Sequence, residues 1–232
     1  MKLAALSSGG KDGNLALYLM ECQGFTISCI LTMIPHRSDS WMFHVPNVKW
    51  VRLQARAMGI PLIIQHTEGE KGSEISDLEK LMRKAILEYR VDGVVFGAIS
   101  SEYQRFNLER LCDALGLKSY APLWGKDPLL LIEDLLKLGF KVLIVGVYAL
   151  GLRKEHLGRL LDQDMLRVLK RLKDKYDVNP AGEGGELETF VLDAPHFSHS
   201  IEICAHEIRW YGDYGELIIR DAKLKPKVRE LV

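Results

Sequence analysis

Short apolar runs alternate with helical patterns through the first half of the chain. An apolar run at residues 3–6 predicts a buried strand, and the apolar positions after Gly13 recur with the spacing of one helix face. The predicted strands are 3–6, 26–34, 60–65 and 91–96, and the predicted helices are the one after Gly13 and those over 47–58, 76–89 and 101–115. This alternation, with its short links, predicts a parallel sheet covered by helices on both faces.

The second half of the chain has a different pattern. Its predicted elements are helices over 129–138 and 160–176 and strands over 140–147, 190–192, 200–210 and 216–220. A turn at 212–215 joins the last two strands as a hairpin, and the basic tail at 223–229 is predicted to be a solvated end. A proline-rich connection at 121–128 marks the best boundary. We therefore predict an α/β domain over 1–120 and a smaller α+β domain over 121–232.

Composition and charge narrow the classes of function. The chain has 232 residues, of which 47% are hydrophobic and 27% charged, as is typical of a globular protein. Its 31 basic and 31 acidic residues balance, so no nucleic-acid partner is expected on electrostatic grounds. Its four cysteines form no C-x-x-C pair, which favours reduced thiols in the cytoplasm. With no signal pattern and no long apolar run, we expect a cytoplasmic protein without a membrane partner.

The most informative stretch joins the first strand to the first helix and is Ser7-Ser8-Gly9-Gly10-Lys11-Asp12-Gly13. Such a loop aims backbone N–H groups and the positive end of a helix dipole at one point, where an anion can bind. Gly9 and Gly10 permit close approach, the serines add hydroxyl donors, and Lys11 adds a positive charge. A Walker loop fails because the four residues it needs between Gly and Gly-Lys-Ser/Thr are absent. A dinucleotide fingerprint is disfavoured because Ser8 stands at its first glycine and no acidic residue closes the second strand near Ile34. The alternative is a glycine turn that only joins strand and helix.

The pyrophosphate loop of the N-type ATP pyrophosphatases, Ser-Gly-Gly-Lys-Asp-Ser, is similar to this stretch at every position except Gly13. In parallel sheets, ligands bind at the carboxyl ends of strands where the winding direction reverses. The strand that ends before Gly97 is the predicted neighbour of the first strand. A glycine there allows a nucleotide to approach the backbone, although the turn alone can equally require it.

Two other loops have unusual composition. The connection over 35–46 holds aromatic residues and two histidines, among them His44, and a functional loop and a packed loop are equally good interpretations. Three acidic residues and three glycines lie between 182 and 188, which a plain solvated loop does not explain. The motif over 101–104 is typical of a helix capping box. His196, His199 and His206 lack acid or cysteine partners at ligand spacing, so we interpret them as surface histidines.

Together these stretches resemble the archaeal and eukaryotic diphthine–ammonia ligases, a branch of the N-type ATP pyrophosphatases. The matching stretches are Ser8–Asp12, Asp39–His44, Phe96–Ile99 with Tyr103-Gln104, Ala121–Trp124, and Glu183–Thr189 followed by Leu192–Pro195. The glycine loop marks only the superfamily, whereas Glu183-Gly184-Gly185-Glu186 is specific to the branch. Gly13 replaces the final serine of the loop, and Leu187 stands where the family pattern has an aromatic residue. The resemblance implies a doubly wound, Rossmann-like first domain of the adenine nucleotide alpha hydrolase type.

The resemblance also implies a reaction. Diphthine on elongation factor 2, ammonia and ATP give diphthamide, AMP and pyrophosphate, through an acyl-adenylate. ATP would bring Mg²⁺, for which Asp12 is the nearest carboxylate, although Asp12 can equally cap the helix. Free ammonia is the implied donor because no glutaminase domain is evident. The oligomeric state is left open, a homodimer included.

Residue roles follow from the same resemblance. The implied catalytic residues are Lys11, Asp12 and Glu186. The implied nucleotide-binding residues are Ser7, Ser8, Gly9, Gly10, Lys11, Asp12, Gly13 and Gly97. The implied substrate-binding residues are His44, Tyr103, Gln104, Glu183, Gly184, Gly185, Glu186, Glu188 and Thr189.

The chemistry of those residues suits a cationic acceptor. The three glutamates can bind the trimethylammonio group of diphthine or orient ammonia, and an aromatic side chain such as Tyr103 can assist. For Gln104, helix capping is the slightly favoured interpretation. Two other functions remain: a relative that adenylates a tRNA base, and a non-catalytic nucleotide-binding regulatory module. The first needs a path for a polyanion, and the second has no need for the acidic glycine-rich stretch.

Overall fold

The structure is a computed structural model that describes residues 1–35, 47–68 and 73–227. It divides into two compact units. The first comprises Met1–Val51 and Ile60–Lys126, and the second comprises Arg52–Gly59 and Asp127–Val232. The sequence predicts a boundary between residues 120 and 121. In the structure, the chain leaves the first unit for the last time between Lys126 and Asp127. Each unit is built around its own sheet.

Nine strands and six α-helices make up the described residues. The strands are β1 Lys2–Leu6, β2 Thr26–Pro35, β3 Leu62–Thr67, β4 Gly93–Val95, β5 Lys118–Tyr120, β6 Lys141–Val147, β7 Leu187–Asp193, β8 His199–Trp210 and β9 Gly215–Pro226. The helices are α1 Lys11–Cys22, α2 Val51–Met58, α3 Ser73–Tyr89, α4 Glu102–Leu115, α5 Pro128–Lys137 and α6 Gln163–Tyr176. Most predicted elements are present with shifted ends.

The sheet of the first unit is parallel, with the strand order β3-β2-β1-β4-β5. From β1 the chain moves outward through β2 to β3, and then returns to the other side of β1 at β4. The winding direction therefore reverses between β1 and β4, where Ala5 pairs with Val95. The predicted neighbours β1 and β4 are confirmed, and their carboxyl ends mark the position at which such sheets bind ligands.

Helices cover both faces of this sheet. Ala4, Cys29 and Leu31 pack into one buried cluster with Leu81 of α3 and Leu111 of α4. Leu3 and Ala5 alternate with Ala4 along β1 and are equally buried, and α1 contacts the same strands. Because neighbours on a strand point to opposite faces, α1 lies on the other face from α3 and α4. The predicted doubly wound α/β class is confirmed.

The sheet of the second unit has the strand order β7-β6-β9-β8, and all three pairs of neighbours are antiparallel. Helix α2 belongs to this unit. Its Gln54 Nε2 donates a hydrogen bond of 2.8 Å to the carbonyl of Val191, and the carbonyl of Ala57 accepts bonds from the backbone N–H and the hydroxyl of Ser198 at 2.7 and 2.6 Å. A segment from the first half of the sequence thus completes the second unit.

Two local predictions are wrong. The helix predicted over 76–89 begins three residues earlier, at Ser73, so Ser76 lies inside it and is not the cap that a start at 76 implies. Residues 223–226 are part of β9 and pair with β8, so they are not a solvated tail. There the ammonium groups of Lys223 and Lys225 lie 3.4 and 3.6 Å from the carboxylate of Glu202, so alternating charges on the ribbon pair across the strands.

The interpretation of the three histidines is also wrong for one of them. The ring of His196 is half-buried between Phe140 and Phe197, at centroid distances of 6.2 and 5.0 Å. Burial and, to a smaller extent, the positive charge of Lys227 together lower the pKa of His196 to about 4. This imidazole is therefore neutral at pH 7.

Within the described ranges, no helix combines the length and the apolar character needed to cross a bilayer.

Candidate active site

The loop after β1 is held by backbone and hydroxyl hydrogen bonds. The N–H of Ser7 donates to the carbonyl of Leu31 at 3.0 Å, and the Thr32 hydroxyl donates to the Ser7 carbonyl at 2.8 Å. The Ser7 hydroxyl accepts from the N–H of Gly9 at 3.1 Å, and Gly9 has φ +91°. Ser7 is buried, so its side chain shapes the loop from inside. Thr32 was missed by the sequence analysis, although it is the only hydroxyl side chain in the apolar run over 30–34.

Helix α1 begins directly after this loop. Its N-cap is Gly10, which supplies no side chain to bond the first N–H groups of the helix. Ser8 and Gly10 are half-buried, and Gly9 is buried. Because the first N–H groups of a helix have no partner within it, an uncapped start suits an anion. The loop therefore has the local geometry that the sequence predicts for a phosphate site.

Lys11 is the first residue of α1 and is only 2% exposed. Its Nζ lies 2.9 Å from the Asp12 carboxylate, which is 28% exposed. A buried cation stays firmly in place at the helix start, and its carboxylate partner reduces the cost of burying it. The described residues contain no group of three or more histidine, cysteine or acidic side chains that could hold a metal. One partly exposed carboxylate suits a Mg²⁺ ion whose other ligands are phosphate and water oxygens.

Gly97 follows β4 and lies against the start of α1. A Cβ added at Gly97 would lie 2.5 Å from the carbonyl carbon of Asp12 and 2.6 Å from the backbone nitrogen of Gly13. These are backbone atoms that cannot rotate away. A glycine at this position therefore lets the first turn of α1 pack on the end of β4, a reason that the sequence analysis did not consider.

The departure at Gly13 has a similar explanation. A Cβ at Gly13 would lie 3.2 Å from the Ser7 hydroxyl oxygen and 3.3 Å from the Leu6 carbonyl oxygen. A larger residue at this position would press on the hydroxyl that shapes the loop. Glycine in place of the usual serine thus matches a close contact between α1 and the end of β1.

We expect Gly97→Ala to weaken ATP binding. The added methyl group must displace the first turn of α1, and a strain of about 1–3 kcal/mol is typical of such overpacking. If that strain falls on the loop, ATP affinity drops roughly five- to 150-fold. Calorimetric titration with a non-hydrolysable ATP analogue measures the effect. Gly116→Ala is the control, because its φ of +67° adds backbone strain in the same unit but its Cβ meets nothing within 4 Å. Equal affinity in both variants would contradict this role of Gly97.

The other candidates of the first unit lie at the start of α4. Ser101 is the N-cap, and its hydroxyl accepts a 3.4 Å hydrogen bond from the backbone N–H of Gln104. The serine half of the predicted capping box is therefore present. The Gln104 side chain is half-buried, and Tyr103 is 42% exposed. His44 lies outside the described residues.

The acidic stretch of the second unit is a tightly bonded turn before β7. Glu186 accepts a 2.6 Å hydrogen bond from the backbone N–H of Asn179 through Oε2, and its own carbonyl accepts from the N–H of Tyr148 at 3.0 Å. The Asn179 side chain accepts from the N–H of Ala181 at 2.9 Å. Gly182 has φ +74°, and a Cβ there would lie 2.4 Å from the Leu187 carbonyl oxygen. The Glu186 carboxylate therefore fixes the turn, and Asn179 is a contributor that the sequence analysis missed.

The remaining candidates of this stretch differ in exposure. Glu183 is half-buried, and Gly184 and Gly185 are exposed. Glu188 is half-buried and lies opposite Gly146 of β6, whereas Thr189 is 3% exposed and lies opposite Ile144. Thr189 is therefore a core side chain. Leu187 is also buried, so the side chain at this departure from the family pattern packs inside the unit.

Three tyrosines form a cluster, with Tyr148 directly after β6 and Tyr211 and Tyr214 in the hairpin between β8 and β9. The ring centroids of Tyr211 and Tyr214 are 5.0 Å apart, and those of Tyr148 and Tyr214 are 6.0 Å apart. The Tyr148 hydroxyl donates a 2.7 Å hydrogen bond to Glu216. Burial, together with the charges of Glu216 and Glu188, raises the pKa of Tyr148. Sequence analysis identified the hairpin turn but not this cluster.

Comparison with known proteins decides the family. Residues 1–119 match the family model described as "Diphthamide synthase N-terminal domain", and residues 127–224 match "Diphthamide synthase C-terminal domain". The chain belongs to the diphthamide synthase family. The resemblance stated from the glycine loop and the acidic stretch is thereby confirmed.

Relatives of this diphthamide synthase family member cover nearly its whole length. A protein from Danio rerio named diphthine–ammonia ligase is 36% identical over 231 residues, which cover 92% of this chain and 90% of the relative. A Bos taurus protein of the same name is 34% identical over 252 residues, which cover 98% and 94%. A solved structure described as a predicted subunit of tRNA methyltransferase from Methanocaldococcus jannaschii is 14% identical, with a TM-score of 0.43 over 84% of this chain and 99% of that one.

Proposed function

We propose that this protein amidates diphthine on elongation factor 2 with ammonia and ATP, and releases AMP and pyrophosphate. The proposal rests on one observation above all: both family domains match, in order, and the relatives named diphthine–ammonia ligase align over nearly the full chain. The loop at the carboxyl end of β1 supports it, because it offers an uncapped helix start and a buried lysine for a phosphate. Since elongation factors act in translation, the proposed location is the cytoplasm.

In this proposal the first unit binds ATP through the stretch 7–13. The N–H of Gly10 and the ammonium of Lys11 would bind the phosphates, whereas Gly9, whose own N–H donates to the Ser7 hydroxyl, would shape the loop around them. Asp12 would contribute the protein's carboxylate to Mg²⁺. When bound, the ion would neutralise phosphate charge as pyrophosphate leaves.

The proposed reaction follows from the reactivity of the diphthine carboxylate. The diphthine carboxylate does not react usefully with ammonia at neutral pH. Its oxygen attacks the α-phosphorus of ATP, the bond from that phosphorus to the bridging oxygen breaks, and pyrophosphate leaves with the negative charge. Ammonia then attacks the acyl carbon, AMP leaves, and the new ammonium nitrogen loses a proton to give the amide. Fixed N–H donors and Lys11 stabilise the charge on the leaving pyrophosphate.

The acidic stretch of the second unit suits the acceptor and not the nucleotide. Carboxylates of Glu183, Glu186 and Glu188 would repel a triphosphate, so their ligand is cationic, neutral or a metal ion. Glu186 is held by Asn179, which keeps its carboxylate in a defined position. Assignment of His44, Tyr103 and Gln104 to the acceptor remains a prediction.

Product analysis tests the reaction. We expect the purified protein to form AMP and pyrophosphate only when diphthine-modified elongation factor 2, ammonium and Mg-ATP are all present, with one AMP formed per amide. Mass spectrometry of the modified residue and chromatography of the nucleotides measure both products. Unmodified elongation factor 2 and a tRNA pool are the controls and should give no AMP. Formation of ADP and inorganic phosphate without AMP would contradict the proposal, and AMP formation with tRNA alone would favour tRNA-base adenylation.

A further inference from the structure

The three tyrosines form an aromatic surface at one end of the second sheet, in which Tyr148 is half-buried and Tyr211 and Tyr214 are exposed. Tyr211 and Tyr214 are 50% and 42% exposed, and their rings are nearly parallel, with 25° between their planes. The N–H of Tyr211 donates to the carbonyl of Tyr214 at 2.9 Å, which closes the hairpin and fixes the two backbones. The ring of Tyr148, at the end of β6, is 24° from the plane of Tyr214. Because the rings stack on one another and Tyr211 and Tyr214 remain about half exposed, the hairpin presents a preformed aromatic surface to solvent.

Carboxylates border this aromatic surface. Glu216 binds the Tyr148 hydroxyl at 2.7 Å, and Glu188 lies on the neighbouring strand opposite Gly146. A Cβ at Gly146 would lie 2.7 Å from the Tyr148 ring and 2.8 Å from Cβ of Glu188, so this ring and this glutamate both lie against the same glycine. Arg209, which hydrogen-bonds Tyr211, and Arg220 both pair with Glu207, so the glutamates at 188, 207 and 216 outnumber the two arginines around the cluster. The surface therefore combines aromatic faces with net negative charge.

Aromatic rings next to negative charge favour one chemical class of ligand. A quaternary ammonium group has no N–H to donate, so it gains most from aromatic faces and from negative charge at short range. A phosphate would be repelled by both carboxylates. A primary ammonium would gain mainly from direct hydrogen bonds to oxygen, and the Tyr148 hydroxyl already binds one oxygen of Glu216.

A backbone hydrogen bond joins the acidic stretch to this aromatic surface. The backbone N–H of Tyr148 donates to the carbonyl of Glu186, and Glu188 continues from the stretch into β7. We propose that Tyr148, Tyr211 and Tyr214, with Glu188 and Glu216, bind the quaternary ammonium group of the acceptor residue. The assignment rests on the proposed function, because diphthine carries a trimethylammonio group beside the reacting carboxylate.

Choline and 3,3-dimethylbutan-1-ol are the probes that test the assignment. They share one shape, but only choline has a charge. The full-length protein should bind choline with a millimolar dissociation constant, measured by tyrosine fluorescence and by NMR line broadening, and should bind the neutral isostere much more weakly. Tyr214→Leu removes a π face and should lower choline affinity about three- to tenfold. Glu216→Gln keeps an acceptor for Tyr148, removes the charge and should lower affinity similarly.

Tyr176→Leu is the matched control, because Tyr176 is 39% exposed on α6 of the same unit and lies outside the cluster. It should bind choline as the unaltered protein does. Absence of choline binding, equal binding of the neutral isostere, or unchanged affinity in Tyr214→Leu would each overturn the assignment.

A second measurement separates this assignment from the proposed function. In the amidation assay, Tyr214→Leu should raise KM for modified elongation factor 2 and leave AMP as the nucleotide product. If the unaltered protein binds choline through the cluster but forms no amide, the proposed function fails and the cation site stands. If amide forms but no variant of the cluster changes KM or choline binding, the cation site fails and the function stands.

Discussion

Replacing Lys11 with alanine should lower kcat/KM for amidation by about 10²–10³, the effect expected when one donor to a charged transition state is removed. Lys11 is buried at the first position of α1, where its ammonium adds a full charge to the positive end of the helix dipole. Pyrophosphate gains negative charge as it leaves, so the lysine should matter more in the transition state than for ATP binding. Single-turnover amidation beside ATP titration separates the two effects.

A buried lysine also fills space, so the alanine variant must be compared with a second variant that keeps the volume. Lys11→Met keeps most of the aliphatic volume and removes only the charge. We expect this variant to unfold at nearly the same urea concentration as the unaltered protein and to lose as much activity as Lys11→Ala. Normal turnover in a folded Lys11→Met protein would mean that the loop does not bind the reacting phosphates.

Replacing Glu186 with glutamine should leave ATP affinity nearly intact and lower amidation by about 10² or more. The amide oxygen of glutamine can still accept the hydrogen bond from the Asn179 N–H, so the turn before β7 should persist while the charge is lost. Nucleotide titration and single-turnover amidation on the same protein measure the two quantities.

Comparison with Glu186→Ala separates charge from architecture. Alanine removes both the charge and the bond to Asn179, so it should also destabilise the turn. If glutamine preserves amidation and alanine does not, Glu186 is a positioning residue and not a catalytic one. Equal loss of ATP affinity and amidation in Glu186→Gln would instead indicate that the carboxylate serves the nucleotide, for example through Mg²⁺.

The parallel sheet was predictable because its signals are local. Each buried strand is an apolar run, each helix repeats its apolar positions every three or four residues, and short links leave few ways to connect them. The glycine loop was predictable for the same reason, since Ser7 to Gly13 are contiguous. The roles of Ser7 and Gly97 were not, because each depends on atoms that another part of the chain supplies.

The ends of elements were harder to predict where the same side chains are compatible with two different structures. The basic residues after 222 are typical of a solvated tail, but Lys223 and Lys225 pair with Glu202 across the ribbon and extend β9. His196 has no ligand pattern around it, and its neutral state depends on burial beside Phe140 and Phe197 and on the charge of Lys227, which no local pattern indicates. The tyrosine cluster depends on residues 148, 211 and 214, which no local pattern connects.

Helix α2 has a consequence for the order in which the protein can be made. The hydrogen bond from Gln54 to Val191 spans 137 residues, and the bond from Ser198 to Ala57 spans 141. At ~5–20 residues per second, a ribosome would synthesise Val191 roughly 7–30 s after Gln54. During that delay the residues that pack against the buried side of α2 have not yet been synthesised. The second unit can therefore be completed only late in translation, and a fragment ending at residue 126 would hold a helix whose core is missing.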